Sequence, residues 1–178
     1  MSAKRDPEGR RRALATAAVE VIAEVGVGRT THRAVAARAG VPLGATTYYF
    51  PTLADLVAAG LRQMTESIGT ELAGWATRLT ADNLAPTLAR LTRDYLADRP
   101  RALLEYELCL AAARDEQLRP LVHTWLDGLD ALLTPMTDAR TAAAIAMLLD
   151  GAMLQSIATG RELDEDALRV AITRLTAS

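Results

Sequence analysis

Apolar residues recur at steps of three and four along nearly the whole chain, and no stretch alternates apolar with polar residues. That period lays one apolar stripe down each helix and suits no strand, so it dictates an all-α protein. The first stripe is Leu14, Ala17, Ala18, Val21, Ile22 and Val25, stopped by Gly26 and Gly28. Thr31 suits the N-cap of a short helix that turns Val35, Ala36 and Ala39 inward and stops at Gly40. Gly40-Val41-Pro42 then leads into a second short segment, Leu43 to Tyr49. Two short helices joined by a tight turn containing glycine match a helix-turn-helix.

Thr52 follows Pro51 and is the expected cap of a long helix with Val57, Leu61, Met64, Ile68, Leu72, Trp75 and Leu79 on one side. Asp82-Asn83 and Pro86 restart the chain for the stripe Leu84, Leu88, Leu91 and Tyr95, which Arg99-Pro100 is expected to break. Residues 101–115 predict a helix around Leu103, Leu104, Tyr106, Leu108 and Leu110. The next runs through Leu118, Leu121, Val122, Trp125, Leu129, Leu132 and Leu133, with Pro120 in its first turn and Pro135 ending it. Residues 137–159 are apolar almost all round and stop at Gly160, and Asp164 opens a last helix with Leu168, Ala171, Ile172 and Leu175 on one face. About nine helices and no sheet result. The expected division is a helix-turn-helix domain at 1–52 and a helical body at 53–178, meeting inside continuous helix rather than at a linker.

Several chemistries are excluded early. The one cysteine, Cys109, permits no internal disulfide, and two histidines are too few for the usual zinc sites, so neither metal nor cofactor is expected. Four serines, none on a nucleophile elbow, and no glycine-rich phosphate loop leave a small helical enzyme as a remote alternative. No apolar signal segment follows the charged N-terminus, and no run of about 18 uncharged apolar residues is present, so a cytoplasmic protein without a membrane span is expected. The net charge of −2 hides an asymmetry: residues 1–52 hold eight Lys/Arg, including Lys4 and Arg5, against four acids, leaving twelve bases against eighteen acids in the remainder. A basic front end on an acidic body suits a polyanionic partner for the front alone.

The segment Thr31-His32-Arg33-Ala34-Val35-Ala36-Ala37-Arg38-Ala39-Gly40-Val41-Pro42, with Tyr48-Tyr49-Phe50 and Asp55-Leu56 beyond it, resembles the tetracycline-repressor (TetR) family over about residues 10–60. Leu148-Leu149-Asp150-Gly151 is similar to the start of a dimerisation helix in that family. The residues support the likeness on their own: Gly44 and Ala45 permit close approach to a major groove, while threonine and tyrosine hydroxyls offer polar contacts there.

The resemblance implies base-facing positions at Leu43, Gly44, Ala45, Thr47 and Tyr48, with Arg33 as a further base reader, and phosphate contacts from Thr31, His32 and Tyr49. Thr47 stands where the family usually has an aromatic, and Leu53 where it usually has Lys, which removes one expected phosphate contact. Arg10, Arg11 and Arg12 are candidates to compensate as a flexible arm. Phe50 reads as core and Arg38 as a solvated charge.

The body mixes rings with polar tips and adaptable Met among its aliphatic residues, which suits a small-molecule pocket. The candidates are Tyr95, Tyr106, His123, Met64, Trp75, Cys109 and Trp125, although rings at such spacing are ordinarily plain core. Glu105 or Glu107 is a candidate partner for a buried hydroxyl, although acids there are ordinarily solvated. The resemblance implies an effector cavity among residues 53–133 and a homodimer built from helices near 137–159 and 164–177, whose many alanines allow close approach. The expected partners are double-stranded DNA, a small-molecule effector and a second copy of the chain, with no membrane. The expected function is a regulator, commonly a repressor, that a ligand releases from a palindromic operator. A helical module that uses its helix-turn-helix for protein contacts is the alternative.

Overall fold

A computed structural model describes residues 6–116 and 118–177, apart from the side chains of Ser67, Leu108, Leu121 and Thr124. Lys4 and Arg5, and the side chains of the stripe residues Leu108 and Leu121, therefore lie outside the described residues. Nine α-helices and no strand occur among the described residues: α1 (Pro7–Val25), α2 (His32–Arg38), α3 (Leu43–Tyr49), α4 (Leu53–Ala76), α5 (Leu84–Ala97), α6 (Arg99–Arg114), α7 (Arg119–Leu133), α8 (Ala139–Thr159) and α9 (Glu165–Thr176). Short 3-10 turns at Val27–Arg29, Ala81–Asn83 and Thr134–Met136 punctuate them.

Helix boundaries follow from local chemistry. Asp6 accepts the Gly9 N–H at 2.8 Å and Thr31 accepts that of Ala34 at 3.2 Å, so α1 and α2 each gain a partner for an otherwise orphaned donor. Thr52 and Asp55 exchange side-chain and backbone bonds in a capping box that starts α4. Asp164 caps α9 through Ala167 N–H. Gly40, at φ +65°, and Gly160, at φ +73°, take the left-handed backbone that ends α2 and α8 without a Cβ penalty.

Two boundaries differ from the sequence expectation. Helix α4 ends at Ala76 rather than Leu79, and a capping box between Thr80 and Asn83 sets up the turn into α5. Arg99-Pro100 does not break a helix but begins α6, with Asp98 accepting Arg101 N–H as its cap. Proline at the start of a helix loses only an N–H that would be unpaired anyway. The Arg99 guanidinium instead donates to the carbonyls of Ser156 and Ile157, satisfying the far end of α8.

Three apolar clusters hold the chain. Leu14, Ala17, Ala18, Val21, Val35, Phe50 and Leu56 form the core of an N-terminal head. Ile22, Val57, Leu61, Leu104, Ala112 and Leu118 form a junction. A larger body core runs from Leu72 and Trp75 through α5, α7 and α8 to Leu168 and Ile172. Helix α4 contributes to all three and so is the shared spine. Burying each large member contributes roughly 1.5–3 kcal/mol. Gly60 lets α4 cross α1 closely, since a Cβ there would lie 3.0 Å from Val19 Cγ2.

Helix α8 turns Ala142, Ile145, Ala146, Leu149, Met153 and Ile157 into the body core, while Met147 and Leu154 stay exposed on its other side. By length and composition it is the one helix among the described residues apolar enough to cross a membrane.

Candidate functional site

The head presents α3 to solvent while its back face is pinned. Thr46 is fully buried and its hydroxyl donates to Leu43 O at 2.7 Å; Phe50, 1% exposed, plugs the head core. The opposite face displays what the sequence singled out. Leu43, Gly44 and Thr47 are exposed, Ala45 is half-buried, and Tyr48 is 80% exposed, the largest value among the exposed large apolar side chains. Tyr49 is half-buried and supports Tyr48 edge-to-face, with ring centroids 5.1 Å apart. At α2, Arg33 and the capping Thr31 are exposed and His32 is half-buried, with a buried Nδ1 that has no hydrogen-bond partner among the described residues.

Arg38 is held on α1 by Glu20 at 3.2 Å and by Glu24, and those two carboxylates raise its already high pKa. It is therefore committed within the head, whereas Arg33 is free to reach outward. The arginines expected to form a flexible arm do not: Arg10, Arg11 and Arg12 lie in α1, whose cap at Asp6 precedes them. Arg11 sits 5.0 Å over the Phe50 ring, and Arg10 lines a concavity with Asp6, Gly44, Ala45, Tyr48 and Tyr49, so these cations flank α3 as fixed groups. Leu53, standing in place of a lysine, packs half-buried against both the head core and the junction.

In the body, a cavity of about 290 Å³ lies among α5, α6, α7 and α8, lined by Tyr95, Glu105, Tyr106, Cys109, Trp125 and Asp150 with aliphatic neighbours. It brings together four of the seven sequence candidates. Tyr95 and Trp125 stand nearly parallel, 25° apart in plane and 6.4 Å apart in centroid. The other three lie elsewhere. Trp75 is buried behind Trp125, edge-on at 6.5 Å; Met64 packs at the head–body junction; His123, near the start of α7, faces solvent.

Glu105 and Glu107 are not solvated acids. Glu105 is 8% exposed, accepts the Tyr95 hydroxyl at 2.7 Å and takes Arg101 Nε at 2.8 Å, while Arg101 also pairs with Glu71. Against the cost of burial, Glu105 and Glu71 raise the Arg101 pKa further, and burial together with Glu105 pushes the Tyr95 phenol far above its ordinary range. Glu107 accepts Val27 N–H at the turn after α1.

A further acid in the cavity wall is Asp150, which the resemblance assigns to a dimerisation helix rather than to the pocket. Burial raises its pKa, with a hydrogen bond from Trp125 pulling the other way. Tyr106 donates to the Asp150 carbonyl at 3.2 Å, fixing its ring against α8. Among the described residues no group of three or more His, Cys, Asp or Glu could hold a metal ion.

This arrangement, an exposed short helix on a pinned head and a ring-lined cavity in a helical body, has counterparts among known proteins. Residues 79–178 match the model described as the tetracyclin repressor-like C-terminal domain, and residues 14–59 match that of bacterial regulatory proteins, tetR family. An HTH-type transcriptional regulator of Mycobacterium tuberculosis is 34% identical over 118 residues, which is 64% of this chain. The chain spans 58% of the length of the curated relatives it matches. The multidrug binding protein EbrR complexed with ethidium is 43% identical, with a TM-score of 0.86 over 96% of this chain and 99% of that one. A TetR-family member from Streptomyces coelicolor A3 is 42% identical, with a TM-score of 0.84 over 94% and 98% of the two chains. Matched across head and body alike, the chain belongs to the tetracycline-repressor (TetR) family of bacterial regulatory proteins.

Proposed function

We propose that this chain is a cytoplasmic DNA-binding transcriptional regulator that works as a homodimer, carries no enzymatic activity, and changes its operator affinity when a small aromatic effector enters the body. The observation that carries the reading is α3: seven residues long, held from behind by Thr46 and Phe50, with Leu43, Gly44, Thr47 and Tyr48 turned to solvent. A short helix with a small-residue start can sink into a major groove, where Arg33 from α2 would read a base edge. Thr31, His32 and Tyr49 would meet phosphates, and Arg10, which lines a concavity with Tyr48 and Tyr49, would flank them.

The body supplies the other two parts. Met147 and Leu154 on α8 and Val170 on α9 are apolar and exposed, which supports pairing with a second copy rather than a membrane. The division at residue 52 then separates reader from sensor, with α4 carrying movement between them. The cavity at Tyr95, Tyr106 and Trp125 is at the small end of the roughly 300–1,000 Å³ range of ligand sites. EbrR has been crystallised with ethidium, proflavin, malachite green and imidazole, and an aromatic effector for this chain is in keeping with that likeness. An effector that binds only the form with misaligned heads shifts the population off DNA.

Selection of bound sequences from randomised duplex DNA tests the reading. A two-fold symmetric motif with half-sites about one helical turn apart supports it. Recovery of no motif would count against it.

A further inference from the structure

Two carboxylates line the body cavity, and their surroundings are not alike. Glu105 is already answered: Arg101 pairs with it at 2.8 Å and Tyr95 donates to it at 2.7 Å. Arg101 in turn lies 5.8 Å from the Tyr95 ring, closing that end of the wall. Asp150 shares the cavity wall with Tyr106, Cys109 and Trp125, none of them a cation, and no ion pair to it occurs among the described residues. Asp150 is half-buried, and a carboxylate withdrawn from water into an apolar wall is costly to keep ionised without a counter-charge. The cavity also offers the aromatic surface on which an organic cation is attracted, from Tyr95, Tyr106 and Trp125.

We infer that the body cavity selects a flat aromatic monocation, and that Asp150 is the specificity-determining residue that supplies its counter-charge. This rests on the proposed effector-binding role of the cavity. Glu105 does not share the task, because a second cation beside it would face Arg101 directly.

The test uses two probes of nearly the same shape, N-methylacridinium, a permanent cation, and acridine, uncharged at mildly alkaline pH. Tryptophan quenching of the full-length protein reads binding of each. The wild type binds the cation about tenfold or more tightly than the neutral ring. Asp150→Asn abolishes that preference while holding acridine affinity within about threefold, and Asp150→Glu restores it. Equal wild-type affinity for the two probes, or loss of both probes together in a folded Asp150→Asn protein, overturns the assignment while leaving the cavity a ligand site. Binding of neither probe overturns the cavity reading itself, and this inference with it.

Discussion

Val27 N–H donates to Glu107 Oε2 at 3.2 Å, joining the turn between α1 and α2 to the middle of α6. The neighbouring residue Tyr106, and Cys109 one half-turn further on, line the body cavity. One helix thus touches the head on one face and the body cavity on the other. Glu107→Ala is expected to cost about 1–2 kcal/mol, as loss of a charge-assisted bond does. It also reduces the change in operator affinity that an effector produces. Thermal unfolding reads the first and operator binding with and without effector reads the second. An unchanged effector response in the variant would remove this contact from the coupling.

The exposed face of α3 and the free arginine of α2 predict a loss confined to DNA. Arg33→Ala and Tyr48→Ala should each weaken operator binding by roughly 1–3 kcal/mol, with the melting temperature held, because neither side chain packs in the head core. Arg38→Ala should act the opposite way, lowering head stability modestly through Glu20 and Glu24. If Arg38→Ala proves the more damaging to operator affinity at equal stability, the assignment of the two arginines is reversed.

Much of this was legible in the sequence because helix caps and stripes are local. Thr31, Thr52 and Asp164 cap where the spacing predicts, and Phe50 is core. The outward positions of α3 came from the family resemblance, whereas the burial of Thr46, which shares a helix face with the exposed Leu43, was not readable from spacing. What was not legible depends on long-range pairing. Glu105 and Glu107 read as surface acids because their partners lie on other elements, Tyr95 on α5 and Val27 beyond α1. Arg99-Pro100 read as a break because the carbonyls that Arg99 satisfies are nearly sixty residues away. His123 and Trp75 looked like Trp125 in sequence, and only packing separates the three.

Cys109 provides a pH signature. Burial, with Asp150 and Glu105 nearby, pushes its thiol from an ordinary 9.0 up to about 11. Below pH 9.0 both folded and unfolded chains keep the proton. Above it the unfolded chain releases the proton first, so stability falls as pH rises from 9.0 through about 11. The buried phenols of Tyr95 and Tyr106, raised above 10.0 by burial first and by nearby carboxylates, act in the same direction. Denaturant unfolding across that window should show the decline, blunted in Cys109→Ala. A flat profile would contradict the burial of these groups. At neutral pH the thiol should alkylate slowly, and slower still with the cavity filled.

The apolar faces of α8 and α9 predict the oligomer. Met147, 69% exposed, and Leu154 would be costly in water on an isolated protomer. Met147→Arg with Leu154→Glu should yield a folded monomer by analytical ultracentrifugation and lower operator affinity by more than tenfold, about 1.4 kcal/mol, since one head spans only one half-site. A wild-type monomer at micromolar concentration would argue against the arrangement.

The central claim is that α3 reads duplex DNA, and fluorescence anisotropy of the wild-type protein on its selected duplex and on a scrambled one, over rising salt, tests it most directly. Tight binding to the selected duplex that weakens steeply and linearly in log salt, with the scrambled duplex lost first, is expected. Equal affinity for the two duplexes at every salt concentration, or no binding to either at low ionic strength, would contradict it.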